Sequence, residues 1–127
     1  MPLTTFSSDR GWTALAHRPS PLLGNCQLTF IDRQPIDRAR ASAQHRADCA
    51  GLPAVGIQAQ ELAASLDLPD SAFVEDCAVI LDKLAVLTRP ASLARRWEVD
   101  RLAPVIAQLR PVVAIQSPAT LEGRDAL

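Results

Sequence analysis

The chain has 127 residues, 48% of them hydrophobic, and its 13 Lys and Arg against 14 Asp and Glu leave a formal net charge of −1. That length fits one small globular domain, and the apolar fraction excludes a disordered chain. Near-neutral charge argues against an electrostatic nucleic-acid binder, and no apolar run approaches the roughly 18 residues of a membrane span.

Residues 1–12 read as a loose tail ahead of a single domain over 13–127. MPLTTFSSDRGW has no basic segment followed by an apolar core, so no signal peptide is expected. Cys26, Cys49 and Cys77 are an odd number with no CxxC, which points to a reduced, cytoplasmic setting. TALA, residues 13–16, is the first strand, ending at His17 and Arg18. Pro19 and Pro21 then force a turning path. LLGNCQLTF keeps no clean period and reads as a loop with a short helical turn.

Residues 36–52 are predicted as a helix, with Ile36, Ala39, Ala43, Ala47 and Ala50 on one apolar face and Gly51 and Pro53 as the stop. Residues 54–62 alternate and read as a strand. Pro69 and Asp70 supply turn chemistry. Two strands follow, 73–81 and 84–88, joined by the two-residue connection Asp82-Lys83. Residues 92–110 form the second predicted helix, with Ser92 as N-cap and Trp97, Leu102, Val105, Ile106 and Leu109 on its inner face. Pro104 should kink or divide it. A last strand covers 112–116. Small sheets each backed by a helix imply an α/β fold of repeated ββαβ modules rather than a doubly wound sheet. Neither GxGxxG nor a P-loop is present, so nucleotide binding has no support.

The chemistry concentrates at Glu75 and Asp76, beside the apolar run Cys77–Leu81. Neighbouring strand residues point to opposite faces, so the two acids share a ligand only where the strand ends or bends. With Asp70 folding back, three carboxylates would suit a planar cation with several donors, and a guanidinium matches that geometry. A metal fits these acids less well, with no histidine near. The plain alternative is that strand-end acids are solvated or pair with a surface arginine. Arg95 and Arg96 at the start of a helix oppose its dipole, which suits a role in holding a carboxylate, although solvated arginines satisfy the pattern too.

Residues 69–100, PDSAFVEDCAVILDKLAVLTRPASLARRWEVD, resemble the dimethylarginine dimethylaminohydrolases, the dimethylargininases. The matching elements are Pro69-Asp70, Phe73-Val74-Glu75-Asp76, Ala78-Val79, Thr88-Arg89-Pro90 and Arg95-Arg96-x-Glu98. Gln44-His45 upstream and TLEGRDAL at the end also match. The resemblance runs from about Thr13 to the last residue. It implies the guanidino-group-modifying, or pentein, fold: a five-bladed α/β propeller of ββαβ modules, represented here by its N-terminal half.

The activity so implied is hydrolysis of N-methylated arginines to citrulline and methylamine or dimethylamine. A cysteine attacks the guanidinium carbon, a histidine is general acid and base, and an acid orients it. Neither a metal nor an organic cofactor is implied. On the family pattern Asp70, Glu75 and Asp76 hold the substrate, with Asp76 on the guanidinium. Arg95 takes the substrate carboxylate, Phe73 walls the pocket, Leu28 belongs to a lid loop, and Glu122 orients the histidine.

Two departures stand out. Gly123-Arg124-Asp125 replaces Gly-Gly-Asp, which would cost about 1 kcal/mol or more if the second glycine uses positive φ. Leu127 falls about halfway along the family's length, before its catalytic histidine and cysteine. The chain alone is therefore expected to be inactive and to expose a blade edge open to self-association. Cys26, Cys49 and Cys77 do not align with the nucleophile, and His17 and His45 read as structural. The competing readings are an inactive remnant that at most binds arginine-like ligands, and an arginine-deiminase-like activity of a longer parent.

Overall fold

In the computed structural model, which describes residues 3–8 and 11–126, the chain folds as a β-β-α-β unit repeated once. The first unit contains β1 (Thr4–Ser8), β2 (Gly11–His17), α1 (Arg38–Gly51) and β3 (Ile57–Leu62). The second contains β4 (Ala78–Ile80), β5 (Ala85–Leu87), α2 (Leu93–Leu109) and β6 (Val112–Ala114). Each unit has one three-stranded sheet, ordered β1-β2-β3 and β4-β5-β6. In both, the first pair is antiparallel and the second parallel. A parallel pair needs a crossover between its strands, and α1 and α2 are those crossovers.

The expected ββαβ repetition is present, and its first strand corrects the reading of residues 1–12 as a tail. Thr4–Ser8 pair with β2 in the register Thr4↔Leu15 to Ser8↔Gly11. Phe6 is buried in the core there. Threonines, serines and one aromatic carry little hydropathy signal, so this strand exists because β2 offers it an edge. Met1, Pro2, Asp9 and Arg10 of that expected tail lie outside the described residues.

α1 starts later than expected, where the Asp37 side chain accepts a hydrogen bond from the Arg40 amide at 3.0 Å and caps the helix. Its C-terminal end tightens into the 3-10 turn Leu52–Val55, and Gly56, at φ 79°, reverses the chain into β3. The predicted alanine face is exposed. The helix turns His45 inward instead, flanked by the half-buried Ala41, Ser42 and Cys49.

The strand predicted over 73–81 is only three residues long. Val74–Asp76 wind into a 3-10 turn, and β4 begins at Ala78. Backbone bonding explains the difference: Cys77 N–H donates to the Val74 carbonyl, and the Thr88 hydroxyl donates to the Asp76 carbonyl at 2.7 Å. These bonds satisfy buried backbone groups without a strand partner. The Asp82-Lys83 connection closes as expected, with Leu81 N–H on the Leu84 carbonyl.

α2 runs unbroken through Pro104. It buries Arg95, Glu98, Val99, Leu102 and Ile106, a stripe at spacings of three and four. Trp97, expected on that face, is 64% exposed. The inward turn of the helix is taken by Arg95 and Glu98, which are buried as a pair. Ser92 stands at the N-cap position, but its hydroxyl accepts from Gln27 Nε2 at 2.8 Å rather than capping the helix.

Phe6 and Leu15 of the first unit pack with Val74, Cys77, Ala78, Ala85, Leu87, Val99, Leu102 and Ile106 of the second. Arg110 ties the two together, with its guanidinium 5.9 Å from the Phe6 ring centre and hydrogen bonded to the Ser7 carbonyl. The core thus lies on the second unit and reaches back to β1 and β2. The outer strand β6 is exposed along its length.

Candidate functional site

Short polar segments converge at one side of this core and enclose a cleft of about 480 Å³. The 27–31 loop forms one wall, Asp70, Phe73 and Asp76 the floor, Arg95 the α2 side, and Glu122, Arg124 and Asp125 the opposite wall. Four acids (Asp70, Asp76, Glu122 and Asp125) face two arginines there, so the cleft favours a cation.

Asp70 holds the loop. Both of its carboxylate oxygens accept the Gln27 amide, at 3.0 and 3.2 Å, and burial pushes its pKa above the usual carboxylate value. Leu28 follows that anchored residue and lines the cleft, with Phe30 and Ile31 more exposed beyond it. The turn from Asp70 to Asp76 is a series of local bonds, Phe73 N–H to the Asp70 carbonyl and Asp76 N–H to the Phe73 carbonyl. It presents Phe73 and Asp76 to the same side.

Asp76 is the centre of the arrangement. It is 2% exposed. Its Oδ2 accepts from Arg95 Nη1 at 2.7 Å, and its buried Oδ1 has no hydrogen-bond partner. Arg95 is held from behind by Glu98, which accepts from Nε at 3.1 Å and from Nη2 at 2.8 Å. Burial works against the Arg95 charge, but Glu98 and Asp76 outweigh it and raise the pKa of the guanidinium. Burial raises the Glu98 pKa as well, against the pull of Arg95.

The wall carrying Glu122 is positioned by Arg89 and Leu121, whose backbones exchange hydrogen bonds at 3.1 and 2.9 Å. Gly123 lies against the Val74–Asp76 turn: a Cβ there would collide with the Glu75 carbonyl oxygen and stand 3.1 Å from that of Ala78. The close approach therefore belongs to the first glycine of the Gly-Gly-Asp pattern. Arg124 needs no positive φ, since among the described residues only Gly11 and Gly56 adopt one. The strain expected of an arginine at that position does not arise. Arg124 Nη2 bonds Glu122 Oε2 at 2.8 Å, and its Nε stands 3.7 Å from the unpartnered Asp76 Oδ1.

Of the seven residues singled out in the sequence, Leu28, Asp70, Phe73, Asp76, Arg95 and Glu122 line this cleft. Glu75 does not. It lines a separate cavity with Thr4, Thr5, Val79 and Gly123, where burial raises its pKa and leaves Oε2 without a hydrogen-bond partner. Sequence reasoning gave no role to Glu98, Gln27 or Arg124. The i,i+3 spacing of Arg95 and Glu98 on a helix was the available signal for the first. Among the described residues, no cysteine or histidine lines the cleft. Cys77 is buried in the core with its thiol pKa pushed up by burial, and His17 contacts the Arg18 carbonyl and the Ser65 hydroxyl.

No family model matches the chain. It is 36% identical over 115 residues to the N(G),N(G)-dimethylarginine dimethylaminohydrolase of Streptomyces coelicolor, covering 90% of this chain and 45% of that protein. It is 31% identical over 93 residues to the protein of the same name from Pseudomonas aeruginosa, covering 72% of this chain and 37% of that one. The crystal structure of a mutant of the Pseudomonas aeruginosa protein complexed with citrulline superposes with a TM-score of 0.83 at 30% identity, over 89% of this chain and 45% of that one. The chain thus spans less than half the length of these relatives. Matching them in sequence and in its paired ββαβ units, the chain belongs to the dimethylarginine dimethylaminohydrolase family.

Proposed function

We propose that this chain is the substrate-gripping part of a dimethylargininase-type hydrolase, one that converts N-methylated arginines to citrulline and methylamine or dimethylamine. The observation that carries the reading is Asp76 Oδ1, a buried carboxylate oxygen in an acidic cleft with no hydrogen-bond partner. Such an atom is costly to bury unless a donor meets it, and a guanidinium N–H is the donor that its geometry and charge suit. Asp70 adds negative charge and anchors the loop carrying Leu28, Phe73 offers a flat wall, and Glu122 is the acid available to orient a histidine.

The resemblance assigns Arg95 to the substrate carboxylate. In this arrangement Arg95 is bonded to Asp76, whereas the guanidinium and carboxylate of an arginine lie at opposite ends of an aliphatic chain. Arg95 therefore first serves to fix Asp76 through Oδ2, leaving Oδ1 for the ligand. Reaching a ligand carboxylate would require its remaining N–H groups or a swing away from Asp76.

A hydrolase of this type needs a thiolate near the guanidinium carbon, and among the described residues no thiol lines this cleft. The nucleophile and its histidine belong, on the family pattern, to sequence outside these residues, and the chain alone binds without turning over. We place it in the cytoplasm on its three free cysteines. Among the described residues, no helix is long and apolar enough to cross a membrane. The exposed edge at Val112 and Val113 is where self-association would run. Calorimetric titration with dimethylarginine, arginine and citrulline tests the reading. Both cations should bind and neutral citrulline should bind more weakly, while equal binding of all three would overturn it. A clear preference for arginine over dimethylarginine would favour a deiminase-like parent instead.

A further inference from the structure

α1 is thinly attached for a crossover helix. Four of its five alanines face solvent and His45 is its one buried residue. Around that histidine, among residues that do not line the acidic cleft, three donor groups meet. We propose that His45, Cys49 and Glu61 form a site for a thiophilic divalent transition-metal ion, zinc foremost, which clips α1 to β3.

His45 and Cys49 are four residues apart on one helix, so their side chains stand one above the other on the same face. Glu61 comes from β3 across the gap. His45 Nε2 lies 3.0 Å from Glu61 Oε2 and 3.6 Å from Cys49 Sγ, and the three donor atoms all fall within 4.8 Å of one another. Tetrahedral zinc, with bonds of about 2.0–2.3 Å, sets its donors about 3.3–3.7 Å apart. The first separation is a few tenths of an ångström short of that range and the second lies within it, so an ion fits with small side-chain adjustments.

The donor set is selective. A thiolate, an imidazole and a carboxylate suit zinc and its neighbours better than calcium or magnesium, which prefer oxygen alone. Arg18 Nε donates to the other oxygen of Glu61 at 2.6 Å, which fixes the carboxylate with Oε2 turned to His45. A cavity of about 290 Å³ beside the cluster, bounded by Arg18, Pro19, Ser42, His45, Arg46 and Ala64, gives access and room for water as a fourth ligand. Binding sends the Cys49 thiol proton to solvent and changes no oxidation state. The bound thiolate and carboxylate neutralise the ion, so Arg18 and Arg46 at the rim face no net positive charge.

The competing account is a hydrogen-bonded trio of Arg18, Glu61 and His45 with Cys49 merely adjacent. Cobalt(II) separates the two. The full chain, freed of metal by chelator dialysis, is titrated with cobalt and followed by absorbance. We expect saturation at one ion per chain, a near-ultraviolet thiolate-to-cobalt band, visible bands of tetrahedral intensity, and displacement by zinc. The near-ultraviolet band should vanish in Cys49→Ser and persist in Cys26→Ala. Glu61→Gln, which keeps the thiol, should retain the band while weakening cobalt affinity at least tenfold. Zinc should raise the unfolding temperature of the native chain and not of Cys49→Ser. No near-ultraviolet band under excess cobalt, a band that survives Cys49→Ser, or unchanged affinity in Glu61→Gln would each overturn the site.

Discussion

α1 and α2 fill the same slot in two copies of one unit, yet they bury different chemistry. α2 presents Val99, Leu102 and Ile106 to the core and Arg95 to the cleft, with Glu98 holding Arg95 from behind, so one helix carries both packing and site. α1 buries His45 and leaves Ala39, Ala43, Ala47 and Ala50 in water. The difference shows that topology fixes where a helix runs, while the residues at spacings of three and four decide what it does there. Within this chain, the apolar core is concentrated in the second unit, which also lends Arg95 to the cleft.

The most severe way to test that contrast is to remove the buried cation. Arg95→Ala strands Asp76 and Glu98 in the core, and denaturant unfolding should show a loss of about 3–5 kcal/mol. Arg18→Ala breaks the exposed pair with Glu61 in the first unit and should cost no more than about 1 kcal/mol. Comparable losses would break the contrast. Next in size is the apolar packing. Leu102→Ala should cost about 2–5 kcal/mol, whereas Ala47→Ser, on the exposed side of α1, should stay within about 0.5 kcal/mol.

A smaller effect concerns ligand affinity. Arg124 puts a positive charge 3.7 Å from the carboxylate oxygen that a ligand guanidinium would use. Arg124→Gly should therefore strengthen dimethylarginine binding severalfold by calorimetry, and weaker binding would show that Arg124 helps rather than competes.

The smallest expected effect is a pH dependence in the first unit. Burial, the main influence on His17, lowers its pKa below the free-imidazole value of 6.5. Between that lowered value and 6.5 the unfolded chain binds more protons than the folded one, so stability rises with pH across this window and levels off above it. His17→Gln should remove that part of the slope in unfolding measured from mildly acidic to neutral pH. An unchanged slope would mean that His17 does not titrate on unfolding as its burial implies.

How much of this was legible in the sequence differs between the units for the same reason. The FVED element and its neighbours on either side bring chemically distinctive residues to the cleft, where Asp70, Phe73, Asp76 and Arg95 do meet, while the TRP element lies outside its lining. Glu75 illustrates the limit, because whether an acid faces a cleft depends on the turn that carries it. Extended backbone and a 3-10 turn aim neighbouring side chains differently, and the choice here rests on a hydroxyl at Thr88, 12 positions further on. Trp97 was misplaced because hydropathy cannot anticipate that two charged residues will take the inward stripe by neutralising each other. β1 was missed because a short Ser/Thr-rich segment becomes a strand only beside a partner edge. The alanine face of α1 was misread because alanine is indifferent to burial, and one histidine with a carboxylate to bond decided the helix's rotation.

The central claim is that Asp76, fixed by Arg95 and open at Oδ1, is a grip for a guanidinium. Its most direct test is calorimetric titration of dimethylarginine into the native chain and into Asp76→Asn, with circular dichroism confirming that the variant stays folded. A charge-assisted hydrogen bond to a buried carboxylate is worth about 1.5–3 kcal/mol, so the substitution should weaken binding about 10- to 100-fold. Binding that is unaltered in a folded Asp76→Asn chain would contradict the account.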